Sequence, residues 1–350
     1  MLQRDELKQY NRQLILPELG LTGQEKLKVA KVLIIGAGGL GCPVLQYLVA
    51  AGVGTIGIVD DDVIDISNLH RQILYGIHDV GKPKTIVAKQ KLELLNAFVV
   101  INTHQERLTV DNAEKLIASY DLIIDGSDNF TTRYLVNDTC VELGKTLVFG
   151  SIFKFEGHVS VFNHNDGPDY RDVFPEAPAD DAIPNCDEIG VIGVLPGMIG
   201  TYMANEAIKI ICGIGEVLSG KFLTLKALDN SISIFNVVKR KDGLPQSEPI
   251  KAERSTINYE INIEEVHRWL NETPDGIYLI DVREEYEFEE FNIGGVNIPL
   301  YELKEQVNKL PVDKKLVFCC QTGQRSKMAV QLLKNDYRGE MYSVKHGIST

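Results

Sequence analysis

A glycine-rich pattern, Gly36-Ala-Gly38-Gly39-Leu-Gly41, follows a short apolar run and precedes a helical pattern. Glycines at this spacing permit a tight turn and let backbone N–H groups approach a phosphate, and the N-terminus of the following helix adds partial positive charge. Asp60 ends the next apolar run, about 20 residues further on, where a carboxylate can hold the hydroxyls of a ribose. The sequence therefore predicts a nucleotide-binding site.

Charged and polar side chains near this loop indicate which nucleotide binds. They are Ser67, Asn68, Arg71, Lys84, Asp128 and Asn129. Arginine and lysine would neutralise the charge that builds on the α-phosphate of a triphosphate, and a carboxylate would hold Mg²⁺. A hydride-transfer site has no such need, so the set favours ATP over a nicotinamide cofactor.

Three of these residues also have an ordinary structural interpretation. Lys84 could be a solvated lysine in the first turn of its helix, although a cation there opposes the helix dipole. Arg71 could form a structural ion pair. Asp128 could cap the helix expected over 130–143. Nucleotide chemistry explains the three together better than three separate structural roles do.

Apolar runs that alternate with helical patterns indicate the fold that positions these residues. The expected strands are 32–35, 55–59, 99–103, 122–125 and 146–149, and the expected helices are 40–51, 83–95 and 113–119. This alternation predicts an α/β fold with a Rossmann-like, mostly parallel sheet and helices on both faces. We expect an antiparallel or edge strand over 157–162, a long loop over 170–185 and a helix over 197–213.

A charged segment with two prolines, 239–255, has the composition of an interdomain linker. A second α/β pattern follows it, with expected helices over 262–270 and 326–335 and expected strands over 277–281 and 316–319. The predicted organisation is a nucleotide-binding domain over 1–240, a linker over 241–256 and a smaller α/β domain over 257–350.

Composition restricts the class of protein. The net charge of −13 argues against nucleic acid or an anionic membrane as a partner, because binding phosphates requires a basic surface. The polar N-terminus does not have the apolar core of a signal peptide. The most apolar stretch, 189–203, is interrupted by glycines and a proline and is too short to span a bilayer. We therefore expect a cytoplasmic protein.

Six cysteines occur, and no two of them form a Cys-x-x-Cys pair. Neither a disulfide framework nor a four-cysteine zinc site is predicted. Cys42, Cys140 and Cys212 are interpreted as small buried hydrophobes.

The motif Cys320-Gln-Thr-Gly323-Gln-Arg325-Ser326 lies between a strand pattern and a helical pattern. With the segments 281–284 and 294–299, it resembles the active-site loop of rhodanese-like sulfurtransferases. Backbone N–H groups at a helix N-terminus stabilise a thiolate, and Arg325 would add to that effect. Cys320 can then carry sulfur as a persulfide, whereas Cys319 is expected to be buried. The alternative is a rhodanese fold used only for docking.

Residues from about 10 to 240 resemble the MoeB/ThiF/HesA family, the bacterial relatives of ubiquitin-activating enzymes. The motifs that carry the resemblance are Tyr10-Asn-Arg12-Gln, Gly36–Gly41 with Cys42, Asp60 with Ser67–Gln72, Asp79-Val-Gly81, Lys84, Asp125–Asn129 with Arg133, and Glu188–Gly197 preceded by Cys186.

The resemblance implies an ATP site and a reaction. ATP would bind on Gly36, Gly38, Gly39, Gly41, Asp60, Asp62, Ser67, Asn68, Arg71, Lys84 and Asn129, with Mg²⁺ on Asp128. The C-terminal glycine of a small β-grasp carrier protein ending in Gly-Gly, of the MoaD/ThiS type, would attack the α-phosphate and give an acyl-adenylate and pyrophosphate. Sulfur would then displace AMP and leave a thiocarboxylate, for molybdopterin or thiamine biosynthesis.

The resemblance has further implications and one departure. Arg12 matches an arginine that reaches into the partner subunit's site, which implies a homodimer. Cys186 matches a cysteine that can accept the acyl group, although its acidic neighbours should not lower its pKa. Many members of the family hold zinc with two Cys-x-x-Cys pairs. Here aspartates stand at 169 and 172 and no cysteine occurs over 239–246, so we expect no structural zinc.

Fusion of the two domains favours thiocarboxylate formation, because a tether raises the effective concentration of persulfide at the acyl-adenylate. This chemistry requires a separate persulfide sulfur donor to load Cys320. The alternatives are a non-catalytic scaffold for a ubiquitin-like protein and an NAD-dependent oxidoreductase with a regulatory rhodanese module. The oxidoreductase would leave Arg12, Arg71 and Lys84 unexplained.

Overall fold

The structure, a computed structural model, describes residues 1–176, 190–240, 260–334 and 336–348. It divides into two compact units, Met1–Leu244 and Pro245–Thr350. The predicted linker, 241–256, lies outside the described residues. None of the helices described is both long and apolar enough to cross a membrane.

The first unit contains a sheet of eight strands in the order β3-β2-β1-β4-β5-β6-β7-β8. The strands are β1 (Lys31–Ile35), β2 (Thr55–Val59), β3 (Val100–His104), β4 (Leu122–Asp125), β5 (Thr146–Phe153), β6 (Glu156–Phe162), β7 (Lys221–Lys226) and β8 (Ser231–Asn236). β1 to β5 pair in parallel, and β6, β7 and β8 continue the sheet antiparallel. The predicted parallel sheet is confirmed, and its carboxyl edge carries the glycine-rich loop.

Helices cover both faces of this sheet, as predicted. They are α1 (Arg4–Gln9), α2 (Asn11–Leu14), α3 (Gly20–Val29), α4 (Gly41–Ala51), α5 (Lys84–Leu95), α6 (Ala113–Ala118), α7 (Phe130–Glu142), α8 (Tyr170–Val173) and α9 (Val194–Cys212). Successive residues of β1 alternate between two apolar cores: Val32 and Ile34 pack with α4 and α9, and Leu33 and Ile35 pack with α6 and α7.

The strand expected over 157–162 is β6, and it is antiparallel to both β5 and β7, so the antiparallel alternative is confirmed and the edge position is not. The sequence indicated neither β7 nor β8, and every residue of β8 is exposed, so that strand shows no buried face. One expectation about this unit needs correction. Residues 170–173 are not loop. Asp169 accepts hydrogen bonds from the backbone N–H groups of Arg171 and Asp172 and so starts a helical turn there.

The second unit contains a parallel five-stranded sheet in the order β11-β10-β12-β13-β9. Its strands are β9 (Glu260–Ile261), β10 (Ile277–Asp281), β11 (Val296–Asn297), β12 (Lys315–Cys319) and β13 (Met341–Val344), and its helices are α10 (Ile263–Glu272), α11 (Glu285–Glu290), α12 (Leu303–Gln306) and α13 (Gln324–Leu333). The predicted strand at 277–281 is confirmed at its bounds, and the bounds of the other predicted elements differ from the observed ones by at most two residues.

Candidate functional site

The glycine-rich loop connects β1 to α4 and requires glycine at two of its positions. Gly36 has φ +89°, a conformation that side chains disfavour. A Cβ at Gly41 would lie 2.0 Å from the carbonyl oxygen of Gly36, so the first turn of α4 and the loop touch backbone to backbone. This close approach brings the N-terminus of α4 to the carboxyl edge of the sheet.

Two side chains hold the loop from behind. The carboxylate of Asp60 accepts the backbone N–H of Ala37 at 2.7 Å and that of Asp62 at 2.9 Å. The hydroxyl of Tyr75 donates to the carbonyl of Ala37 at 2.8 Å. Burial raises the pKa of Asp60, while the charge of Lys84 acts against that rise. Tyr75 was not identified from the sequence, since no motif relates it to the loop.

Lys84 begins α5, and its ammonium lies 2.7 Å from Oδ2 of Asp62. The residue is only 5% exposed, so the interpretation of Lys84 as a solvated lysine is wrong. Burial disfavours the charged form, but the carboxylates of Asp60 and Asp62 outweigh it and hold the pKa of Lys84 above its ordinary value. The cation is therefore fixed at the cleft and remains charged.

The segment after Asp62 forms a short 3₁₀ turn, Ile66–Asn68, capped by Asp65, whose side chain accepts the N–H of Ser67 at 2.8 Å. Nη1 of Arg71 donates to the carbonyl of Ser67 at 3.0 Å and lies 2.8 Å from Nε2 of His70. This turn brings Asn68 and Arg71 to the same cleft as the glycine-rich loop.

Asp128 stands in the turn that connects β4 to α7. The helix is capped by Asn129, whose side chain accepts the N–H of Thr132 at 2.9 Å. The interpretation of Asp128 as the cap is therefore wrong by one residue. Asp128 is exposed, and its one hydrogen-bond contact among the described residues is with Nδ2 of Asn129 at 3.5 Å. Its carboxylate oxygens are thus available to a ligand.

These elements enclose a cleft of about 560 Å³ at the carboxyl edge of the sheet. The predicted residues that line it are Gly36, Gly38, Gly39, Asp60, Asp62, Ser67, Asn68, Arg71, Lys84, Asp128 and Asn129. Gly41 lies beneath the loop rather than in the cleft wall. Four cationic side chains among the described residues line the cleft, namely Arg71, Lys84, Arg107 and Arg133, of which Arg107 was not identified from the sequence. With several carboxylates and the glycine-rich loop, they form a set that suits a nucleoside triphosphate with a divalent metal, as the sequence predicts.

Arg12 is not part of this arrangement. Arg12 lies on α2, is exposed, and is not among the described residues that line the cleft of its own chain. Cys186 lies outside the described residues. Cys42, Cys140 and Cys212 are buried, as predicted, and burial raises the pKa of Cys42 to about 12.

The aspartates at the first expected zinc position have a structural role of their own. Asp169 caps α8, and Asp172 accepts the backbone N–H of Arg240 at 2.7 Å. One carboxylate thus joins α8 to the chain that follows β8. The second expected zinc position, 239–246, lies mostly outside the described residues.

In the second unit, Cys320 follows β12 and its sulfur lies within the loop that starts α13. The backbone N–H groups of Gly323 and Ser326 point at the sulfur, at 3.2 and 3.4 Å. Gly323 has φ +89°, which turns the loop around the cysteine. Both Cys319 and Cys320 are buried, and burial raises the pKa of Cys319. The predicted cradle of N–H groups therefore surrounds Cys320 and not its neighbour.

Arg325 is held by a partner that the sequence did not reveal. Its guanidinium forms two hydrogen bonds, of 2.6 and 2.7 Å, with the carboxylate of Glu287 on α11. A similar pair joins Arg283 to the buried carboxylate of Asp281. The charge of Arg325 is thus shared between Cys320 and Glu287, which weakens the contribution to the thiolate expected from Arg325 alone.

Two family models match this chain. The ThiF family matches residues 10–246, and the rhodanese-like domain matches residues 262–350. A sulfur carrier protein adenylyltransferase from Thermus thermophilus is 49% identical, covering 73% of this chain and 96% of that protein. A probable adenylyltransferase/sulfurtransferase MoeZ from Mycobacterium tuberculosis is 41% identical over 99% of this chain and 93% of its own length.

Solved structures agree on the fold. MccB from E. coli with MccA-N7isoASN is 22% identical and superposes with a TM-score of 0.60, covering 67% of this chain and 72% of that chain. PaaA is 24% identical, with a TM-score of 0.59 over 68% of this chain and 76% of that chain. The family match, the full-length relatives and the shared fold lead to one conclusion: this chain belongs to the ThiF family and carries a rhodanese-like domain behind its ThiF domain.

Proposed function

We propose that the chain adenylates the C-terminal glycine of a small β-grasp sulfur-carrier protein and then delivers sulfur from Cys320 to make a thiocarboxylate. The observation that carries the proposal is the cleft, where a fixed lysine, an arginine and an available carboxylate surround a glycine-rich loop. The relatives' names, which include a sulfur carrier protein adenylyltransferase, support the same reaction.

In the adenylation step, a carboxylate oxygen of the carrier attacks the α-phosphorus of ATP, the bond to the β-phosphate breaks, and pyrophosphate leaves. Lys84 and Arg71 stabilise the negative charge that builds on the phosphates. The available oxygens of Asp128 suit Mg²⁺, which would supply charge neutralisation at the phosphates. Asp60 holds the glycine-rich loop in place and can also accept a ribose hydroxyl.

In the sulfur step, the terminal sulfur of a Cys320 persulfide attacks the acyl carbon and AMP leaves with the electrons of the broken C–O bond. The product is an acyl disulfide between the carrier and Cys320. A thiol must then attack Sγ of Cys320, which releases the carrier thiocarboxylate and leaves a mixed disulfide that a second thiol reduces. A persulfide donor reloads Cys320. The role of Cys186 as an acyl acceptor remains a prediction.

The chemistry is tested by ATP–pyrophosphate exchange with purified carriers that end in Gly-Gly. We expect exchange that depends on the carrier and on Mg²⁺ and that is lost in Asp128→Ala. Asp111→Ala is the matched control, because Asp111 is exposed and lies away from the cleft. Confirmed ATP binding without exchange for any carrier would reject the proposal in favour of a scaffold.

We further propose that the site is completed in a homodimer by Arg12 of the partner subunit. The exposed position of Arg12 outside its own cleft supports this arrangement. Mixing inactive Arg12→Ala and Asp128→Ala proteins should restore part of the activity, because the mixed dimer contains one intact site. If the mixture stays inactive although subunits exchange, Arg12 does not act across the dimer.

A further inference from the structure

Hydrogen bonds and packing contacts hold the residues of the turn on either side of Asp128. Oδ1 of Asp125 accepts the N–H of Ser127 at 2.9 Å, and the N–H of Gly126 donates to Ile35 at 2.9 Å. Gly126 packs against the glycine-rich loop, since a Cβ there would meet the backbone N of Gly41 at 3.4 Å. The backbone of the turn is therefore held in one conformation, and the side chain of Asp128 is exposed at its tip.

Arg133, in the first turn of α7, also holds the turn that carries Asp128. Nη2 of Arg133 donates to the carbonyl of Ser127, the residue before Asp128, at 3.1 Å. The guanidinium lies over the rings of Phe130 and Phe149, 5.3 and 5.7 Å from their centroids. Arg133 is 9% exposed. Two planar contacts and one hydrogen bond leave the arginine little freedom, so the carbonyl of Ser127 is held in one place.

Asp125 is the nearby negative charge for Arg133. It is 1% exposed at the end of β4, and its Oδ2 has no hydrogen-bond partner among the described residues. Burial raises the pKa of Asp125, and the charge of Arg133 acts against that rise. Asp125 precedes the turn and Arg133 follows it, and burying an acid and a base costs free energy. Helix capping does not need them, because Asn129 caps α7.

We propose that Asp125 and Arg133 are positioning residues that fix the turn and thereby set where the carboxylate of Asp128 meets the metal–nucleotide complex. The proposal rests on the function proposed above, in which Asp128 holds Mg²⁺. Arg133 also lines the cleft, but its proposed role is to hold the carbonyl of Ser127, so the proposal requires neither residue to contact ATP. Their effect passes through the backbone of Ser127, and a displacement of about 1 Å at Asp128 would lower the rate roughly 10²-fold.

The test compares Arg133→Lys, Arg133→Ala and Asp125→Asn in the full-length protein with a recombinant β-grasp carrier ending in Gly-Gly. Arg171→Ala is the matched control, because Arg171 also stacks on an aromatic ring, that of Tyr134 at 4.7 Å, but pairs with Asp138 away from the cleft. We measure kcat, KM for ATP, the Mg²⁺ concentration for half-maximal exchange, and thermal unfolding.

We expect Arg133→Ala to lower kcat roughly 10²-fold and to raise the half-maximal Mg²⁺ concentration several-fold, with KM for ATP little changed. Arg133→Lys, which keeps one donor, should recover part of the rate. Arg171→Ala should behave as wild type. Affinity for Mn²⁺ in the presence of ATP, read by water-proton relaxation, should fall in the same order even if no carrier supports exchange.

Two results would overturn the proposal. The first is an Arg133→Ala protein that unfolds at the wild-type temperature with unchanged kcat and metal affinity. The second is a variant whose affinity for metal-free ATP falls while its metal dependence stays the same, because Arg133 would then bind the nucleotide directly. If the wild-type protein itself shows no exchange, the adenylation proposal is rejected, and the Mn²⁺ affinities of the variants then decide whether Asp125 and Arg133 position Asp128.

Discussion

Gly41→Ala should separate the packing of the glycine-rich loop from its contact with the nucleotide. The added Cβ would lie 2.0 Å from the carbonyl oxygen of Gly36 and 2.9 Å from its carbonyl carbon. Ordinary contact begins at 3.4 Å, so the loop and α4 would have to separate by about 1.4 Å. Both partners are backbone atoms in buried elements, and no side chain can move aside instead.

The expected loss of stability is about 3 kcal/mol, the upper end of the range for overpacked sites. For a domain of this size that corresponds to a melting temperature lower by roughly 6–12 °C. The N-terminus of α4 also moves away from the phosphates, and a shift of 1 Å or more lowers kcat on the order of 10²-fold. Circular dichroism melts and ATP–pyrophosphate exchange measure the two effects.

Gly38→Ala is the matched comparison in the same loop. Its Cβ would meet only Nε2 of Gln72, at 3.6 Å, so the melting temperature should stay within about 2 °C of wild type. The methyl group would project where the nucleotide approaches, and KM for ATP should rise roughly tenfold with kcat little changed. A Gly41→Ala protein that melts and turns over like wild type would refute the packing argument.

Three further changes test the rest of the site. Lys84→Met should lower kcat/KM roughly 10²–10³-fold and should also lower the melting temperature, because Asp60 and Asp62 lose the cation between them. The control variant Lys82→Met removes an exposed lysine and should change neither kcat/KM nor the melting temperature. Cys320→Ser should abolish persulfide formation from polysulfide, which intact-mass spectrometry detects as one added sulfur atom, and should leave ATP–pyrophosphate exchange intact. The control variant Cys319→Ser should still form the persulfide. A persulfide found on Cys319 alone would reverse the assignment. Burial would raise the pKa of Glu287, but the ion pair with Arg325 keeps this pKa below its usual range. The stability that the pair contributes is therefore present above the ordinary glutamate pKa of about 4.3, and it is lost as pH falls through the lower pKa of the folded protein. Between pH 5 and 3, the melting temperature should therefore fall less steeply with pH in Glu287→Gln than in wild type. Glu289→Gln, at an exposed position, is the control, and equal slopes in all three proteins would contradict this reasoning.

Sequence patterns located β1 to β6, β10 and β12 and failed where the deciding contact is distant along the chain. β2 and β4 were predicted at their bounds because their residues are mostly buried and mostly apolar. β8 was missed because it has no buried face, and β7 and β13 were missed although half or more of their residues are buried. Asp169 and Asp172, three residues apart, carry the signal of a helix start, and that pattern could have identified α8.

The candidate site shows the same division. Residues within motifs, such as Arg71, Lys84 and Asp128, were found from type and spacing and do line one cleft. Glu287 and Tyr75 were not found, because each acts on a loop that is close only after folding. Even within a motif, the sequence could not decide between Asp128 and Asn129 as the helix cap. A one-residue choice of this kind depends on backbone angles that spacing does not reveal.

β8 is the last strand of the first unit's sheet, and its exposure has a consequence for how the protein behaves at high concentration. Ile232, Ile234 and Phe235 are each about half exposed on a strand that, within the part of the chain that the structure describes, pairs on one side only. Such an edge offers a ladder of backbone groups to any extended segment and favours aggregation when chains are crowded or heated. Lys239 and Arg240 follow the strand after Val237 and Val238, and their charges oppose the pairing of such an edge with another chain. Colloidal stability should therefore fall with rising salt, which screens these charges.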